Sequence, residues 1–266
     1  TGCGTAAPLR GTFAVQGGTL TVGDASNERV NFETGADFLI SGTAAFNCAS
    51  RFANNTTADT ITWNQSGGTV TLVTAGSTSP TFAGLDIEAA GSSFTMSGGL
   101  LVLQNSTSAA ADVILKAGTA SVTGGTVQFG NAGTPNTTAF DIDSTVSLPS
   151  LVVDNGSVGP TEPTLRLVTS NLTVLSGLTI EAGCTLNANN LNHAVGGDWT
   201  HDGSFTAGTG TVTFNGSAAQ TIGGTAASGP TFNNLTLANT SGADPNLTYS
   251  TTGATLTVNA TLTVSN

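Results

Sequence analysis

The sequence predicts an all-β chain coiled as a β-solenoid, a stack of short strands with glycine-rich turns and little or no α-helix. Three observations carry the prediction. Threonine (48), serine (24) and glycine (35) make up 107 of 266 residues, a vocabulary that favours strands and turns over helices. Apolar residues alternate with small hydroxylated ones at period two, as on a strand with one buried face. The alternating units recur along the chain, which is the mark of a repeat architecture.

The main unit is strand, glycine bend, strand. It occurs at Phe13, Val15, Gly17, Gly18, Leu20 and Val22, again at Ile61, Trp63, Gly67, Gly68, Val70 and Leu72, and again at Phe94, Met96, Gly98, Gly99, Leu101 and Leu103. Two further copies run over Val122 to Phe129 and Phe205 to Phe214. A second unit appears as Pro80 to Ile87 and Pro230 to Leu237, with a looser cousin at Leu148 to Val153. Following the glycine bend, it reads as another side of the same rung. At about 25 to 30 residues per turn the chain makes about nine or ten rungs, a rod of order 45 Å. One elongated domain over 1–266 is expected, with a loop or weak boundary at 154–163.

Low charge suits such a stack. Hydroxyl and amide side chains can sit above one another at the ~4.8 Å strand spacing, where like charges would repel. Only 8% of residues are charged and the formal net charge is -11. The basic residues are Lys116, Arg10, Arg29, Arg51 and Arg166, too few and too scattered to neutralise phosphates, so no nucleic acid is expected as partner. No run approaches the roughly 18 apolar residues of a membrane-spanning helix, the densest being Gly99 to Leu103, and no membrane insertion is expected. Beginning at Thr1, the chain reads as a mature product or an excerpt lacking its export signal, with an extracellular or cell-surface location inferred.

Candidate chemistry is sparse. Asp141 and Asp143 alternate on one strand face roughly 7 Å apart, a spacing compatible with an inverting glycosidase pair, and Asp86 and Glu88 repeat the pattern. The structural expectation for both pairs is a solvated face. Asp198, Thr200, Asp202 and Gly203 echo half of a calcium loop, making Asp198 and Asp202 the candidate ligands of a structural Ca2+, but Thr209 stands where the twelfth-position Glu would be. No other cofactor is expected. His193 and His201 read as surface loop residues. Trp63, Trp199 and Tyr249 are of the type that stacks on sugars, although Trp63 follows the inward register of Ile61. The sequons at Asn55, Asn105, Asn136 and Asn171 leave glycosylation open. Three cysteines allow a disulfide between Cys3 and Cys48, or three buried thiols including Cys184.

From Gly196 to Gly224 the chain reads GGDWTHDGSFTAGTGTVTFNGSAAQTIGG, followed by TFNNLTL at Thr231 to Leu237. This wording resembles bacterial secreted β-strand-repeat proteins, the cell-surface adhesins and autotransporter-like passengers built as β-solenoids. The resemblance implies an extracellular, non-catalytic surface protein and carries no particular ligand with it.

The final segment, Ala254, Leu256, Val258, Ala260, Leu262 and Val264, alternates without charge. Exposed edge strands are usually blunted by Lys or Pro, and this one is not. Two readings follow: the strand pairs head to tail with another copy of the chain, building a homopolymer, or the next rung belongs to a longer array. The expectation is a non-enzymatic filament, surface-layer or adhesin-stalk subunit; a polysaccharide-binding or polysaccharide-cleaving β-helix, with glycans as partners, is the alternative.

Overall fold

The computed structural model describes residues 9–77, 81–154, 156, 163–251 and 253–265. Among them there is no helix, and every strand pairing is parallel. The chain winds as a β-solenoid of about ten turns, with three strand-bearing sides per turn. On the second side the column Leu20, Phe46, Val70, Leu101, Val127, Leu151, Leu178, Trp199, Ile222, Tyr249 runs the length of the coil, one residue from each rung. The first side begins with Phe13, Phe38, Trp63 and Phe94. Beyond the bridge between Leu148 and Val174 it continues through Val195, Phe214, Leu237 and Val264. The third side carries Val30, Phe52, Leu85, Val113, Ile142 and Leu167.

Period-two alternation turns the columns inward, where they form one continuous apolar core from Val15 to Leu235. Aromatic rings fill both ends of it. Phe38 lies 4.5 Å from Trp63, which stacks on Phe94 at 6.0 Å. Near the other end, Trp199 contacts Phe205 at 5.0 Å and Phe232 at 5.6 Å. Trp63 and Trp199 are therefore core residues, with no face left for a sugar. Outside, amide side chains stack as expected of a nearly uncharged coil. The Asn171 side chain accepts from the Asn192 backbone N–H at 3.0 Å, and the Asn192 side chain accepts from that of Thr211 at 2.8 Å.

The Gly-Gly bends are corners between the first and second sides, and at several of them strand structure continues unbroken through the corner, as in Ile61–Leu72 and Ser93–Leu103. Gly99 shows why glycine is needed. Its φ is +84°, and a Cβ there would lie 2.5 Å from the Gly67 carbonyl oxygen in the rung below, so both backbone conformation and rung spacing exclude a side chain.

Several expectations are corrected. The three copies of the second unit fall on different sides: Leu85–Ile87 on the third, Thr231–Leu237 across the third and first, and Leu148 to Val153 across the first and second. Their apolar spacing is alike because every side obeys the same in-out rule. Rung length also varies more than expected, from 19 residues between Leu186 and Phe205 to 33 between Phe52 and Leu85. His193 and His201 are buried in strands His193–Val195 and Trp199–His201 rather than lying in surface loops. Pro80 and, in the 154–163 segment, residues 155 and 157–162 lie outside the described residues, as does Cys3. Cys48 is buried, its Sγ 3.5 Å from the Arg51 carbonyl oxygen, and Cys184 is buried as well.

Candidate functional site

Two regions stand apart from the uniform coil. The first is the outward face of the third side, which collects four of the five basic residues, Arg29, Arg51, Lys116 and Arg166. Asp141 stands beside Arg166 in the next rung, and the guanidinium grips its carboxylate through two bonds of 2.7 and 2.6 Å. Asp143 is engaged separately. Its Oδ2 lies 2.6 Å from Lys116 Nζ, and its Oδ1 accepts from the Ser170 hydroxyl at 2.6 Å. Burial pushes the Asp143 carboxyl up, but these hydrogen bonds and the lysine charge outweigh it and hold the group below its ordinary range.

The expectation of a solvated face fails here. Asp86 points outward from Leu85–Ile87 by alternation, yet it is only 2% exposed. Burial, reinforced by Glu88 and opposed by Arg51 and Lys116, pushes its carboxyl up to about 7. Asp112, missed in the sequence, is buried alongside and accepts the backbone N–H groups of Thr107 and Asp141. Burial raises it to about 6 despite those bonds. Arg51 is buried too, its guanidinium 4.6 Å over the Phe82 ring, and burial lowers it to about 10. No periodic signal marks Asp112, Arg51 or Ser170, because no spacing along the chain foretells which loops fold over which rung.

Asp198 and Asp202 serve the rung above them. Asp198 accepts the Thr221 backbone N–H at 2.7 Å, and Asp202 accepts the Thr225 hydroxyl at 2.8 Å. Among the described residues, no group of three His, Cys, Asp or Glu side chains is arranged to hold a metal ion.

The second region is the pair of end rungs. The strand Thr257–Val264 pairs on one side only, with Thr231–Leu237. Ala254 and Leu256 precede it outside the strand, because regular pairing begins at Thr257. Leu262 and Val264 continue inward columns of the first side, yet they are 57% and 63% exposed, with no rung above them among the described residues. At the other end, among the described residues, Leu9–Val15 pairs only with Val30–Ile40, running from the third side onto the first, and Thr19–Val22 pairs only with Ala45–Cys48, with Leu20 36% exposed.

No protein-family model, no curated protein and no solved structure matches the chain, so the reading of its role comes from its own residues.

Proposed function

We propose that the chain is a non-enzymatic extracellular structural subunit, akin to the β-strand-repeat surface proteins, that joins copies of itself head to tail through its end rungs. The observation that supports this is the exposure of Leu262 and Val264 at the end of columns whose lower members Leu235, Val212, Phe214 and Val195 are buried and whose Leu237 is partly buried. Thr257–Val264 and Leu9–Val15 both run from the third side onto the first and both offer a parallel edge, so one copy can continue the other's columns without turning the coil. Edges of this kind template strand addition, and a heterologous contact that does not close propagates as a fibre. The scarcity of Lys and Arg, which limits tryptic cleavage sites, suits a durable extracellular material.

A polysaccharide-cleaving role is less well supported. Asp143 is paired with Lys116 and held below its ordinary range, and Asp141 is occupied by Arg166, whereas glycoside cleavage needs one carboxyl protonated as general acid and the other free as base or nucleophile.

Negative-stain imaging of the purified chain tests the assembly reading. Filaments that disperse to monomers in the double variant Leu262→Lys, Val264→Lys are the expected result. Dispersed monomers of the unaltered chain over a wide concentration range would overturn it.

A further inference from the structure

The single lysine of the chain, Lys116, directly follows the strand Val113–Leu115, and its backbone N–H donates to the Ile87 carbonyl at 2.8 Å. Its root is therefore fixed in a rung that lies between the rung of Asp86 and the rung of Asp143. From there Nζ reaches Asp143 Oδ2 at 2.6 Å. The other carboxylate oxygen, Oδ1, accepts the Ser170 hydroxyl at 2.6 Å. Asp86 stands in the same outward column as Asp143, with Ile114 between them, and its Oδ1 accepts no hydrogen bond among the described residues. An amine in contact with a carboxylate oxygen, a hydroxyl donor on the oxygen that would carry negative charge, and, two rungs away in the same column, a buried carboxyl with a vacant oxygen are the parts of an amide-forming centre.

We propose that Lys116 and Asp143 condense into an amide, a covalent staple between successive rungs. One proton passes from the ammonium to Oδ2 across their contact, leaving a neutral amine and a carboxylic acid. The Nζ lone pair then forms a bond to Cγ, and the displaced electron pair settles on Oδ1, where the Ser170 hydroxyl stabilises it. Asp86, two rungs or about 9.6 Å along the column from Asp143, relays a second proton from nitrogen to Oδ2 through water that reaches the partly exposed Lys116. The Cγ–Oδ2 bond breaks, one water leaves, the carbonyl re-forms on Oδ1, and Nζ keeps one hydrogen. Asp86 ends as it began, and no oxidant or reductant takes part. Condensation in water is opposed by the solvent, but groups held in contact can reach effective molarities on the order of 10⁵ M or more. The buried Asp86 holds its proton up to about pH 7, which suits it to the relay. The staple would close the chain between residues 116 and 143 as a disulfide does, in a segment whose described residues contain no cysteine.

Intact-mass measurement of the denatured, reduced full chain decides the matter. The expected mass is below the sequence mass by one water, with trypsin failing to cut after Lys116 and a branched peptide joining the segments of Lys116 and Asp143. Lys116→Arg keeps the cation and should restore the full mass; Asp86→Asn should lower the fraction joined at least tenfold at equal age. An unaltered chain at full sequence mass, with Lys116 cleaved by trypsin, would overturn the proposal. A water loss that persists in Lys116→Arg would overturn it too, by placing the loss elsewhere. Unhindered joining in Asp86→Asn would overturn the relay.

Discussion

Asp86 and Asp143 occupy one outward column two rungs apart, with Ile114 between them, yet their environments move their carboxyl groups in opposite directions. Asp143 has Lys116 and Ser170 to hold its negative charge, whereas Asp86 is enclosed without a hydrogen bond to its Oδ1. A column in a solenoid repeats position but not environment, because loops of different length cover different rungs.

The pH dependence of stability should show this. Asp86 ionises near 3.8 when unfolded and near 7 when folded, so between those values the native state binds the extra proton and stability falls as pH rises. His193 acts oppositely. Burial lowers it from 6.5 to about 4, so the unfolded state binds the extra proton and stability falls as pH drops through that window. The two slopes oppose one another between about pH 4 and 6.5. In denaturant titrations, Asp86→Asn should therefore grow more stable with rising pH across this window, and His193→Phe less stable. Each difference should be on the order of 2–3 kcal/mol. Parallel profiles for the two variants would refute the assignment.

Ion pairs on the third side should differ from the buried carboxylate beneath them. Arg166→Ala removes an exposed pair and should cost less than about 1 kcal/mol. Asp112→Ala leaves the N–H groups of Thr107 and Asp141 without their acceptor and should cost about 2–4 kcal/mol. Urea midpoints measured under identical conditions compare the two.

Corner glycines fall into two kinds. Gly35 has φ +86° with open space around its absent Cβ, while Gly99 has φ +84° and faces the Gly67 carbonyl. Gly35→Ala should cost about 1–2 kcal/mol from backbone strain alone, and Gly99→Ala at least twice that. Equal losses would show that rung spacing yields to a methyl group.

In the core, Trp63→Ala should destabilise by about 3–5 kcal/mol, since the ring is fully buried between Phe38 and Phe94. Leu262→Ala should change the stability of a dispersed monomer by no more than about 0.5 kcal/mol while weakening assembly. Thermal melts below and above the assembly concentration separate these effects.

Much of the coil was legible in the chain because its cause is local. Ile61 and Trp63 point inward and Thr62 and Asn64 outward whatever lies above them, and paired glycines at 67, 68, 98 and 99 mark corners by conformation alone. The charged site was only partly legible. Asp86, Asp141 and Asp143 stood out as alternating acids, but their partners did not: Arg166 lies 25 residues from Asp141, and Ser170 lies 27 from Asp143.

The sequence by itself determined a hydroxyl-rich, nearly uncharged stack of alternating strands, since in-out periodicity and glycine conformation act over a few residues. Only the tertiary structure decided which residue sits above which, because rungs of 19 to 33 residues have no fixed register that spacing could reveal. That register sets Lys116 against Asp143, encloses Asp86 and His193, and leaves Leu262 and Val264 uncovered. Each of these outcomes depends on the neighbouring turn, which a linear pattern does not contain.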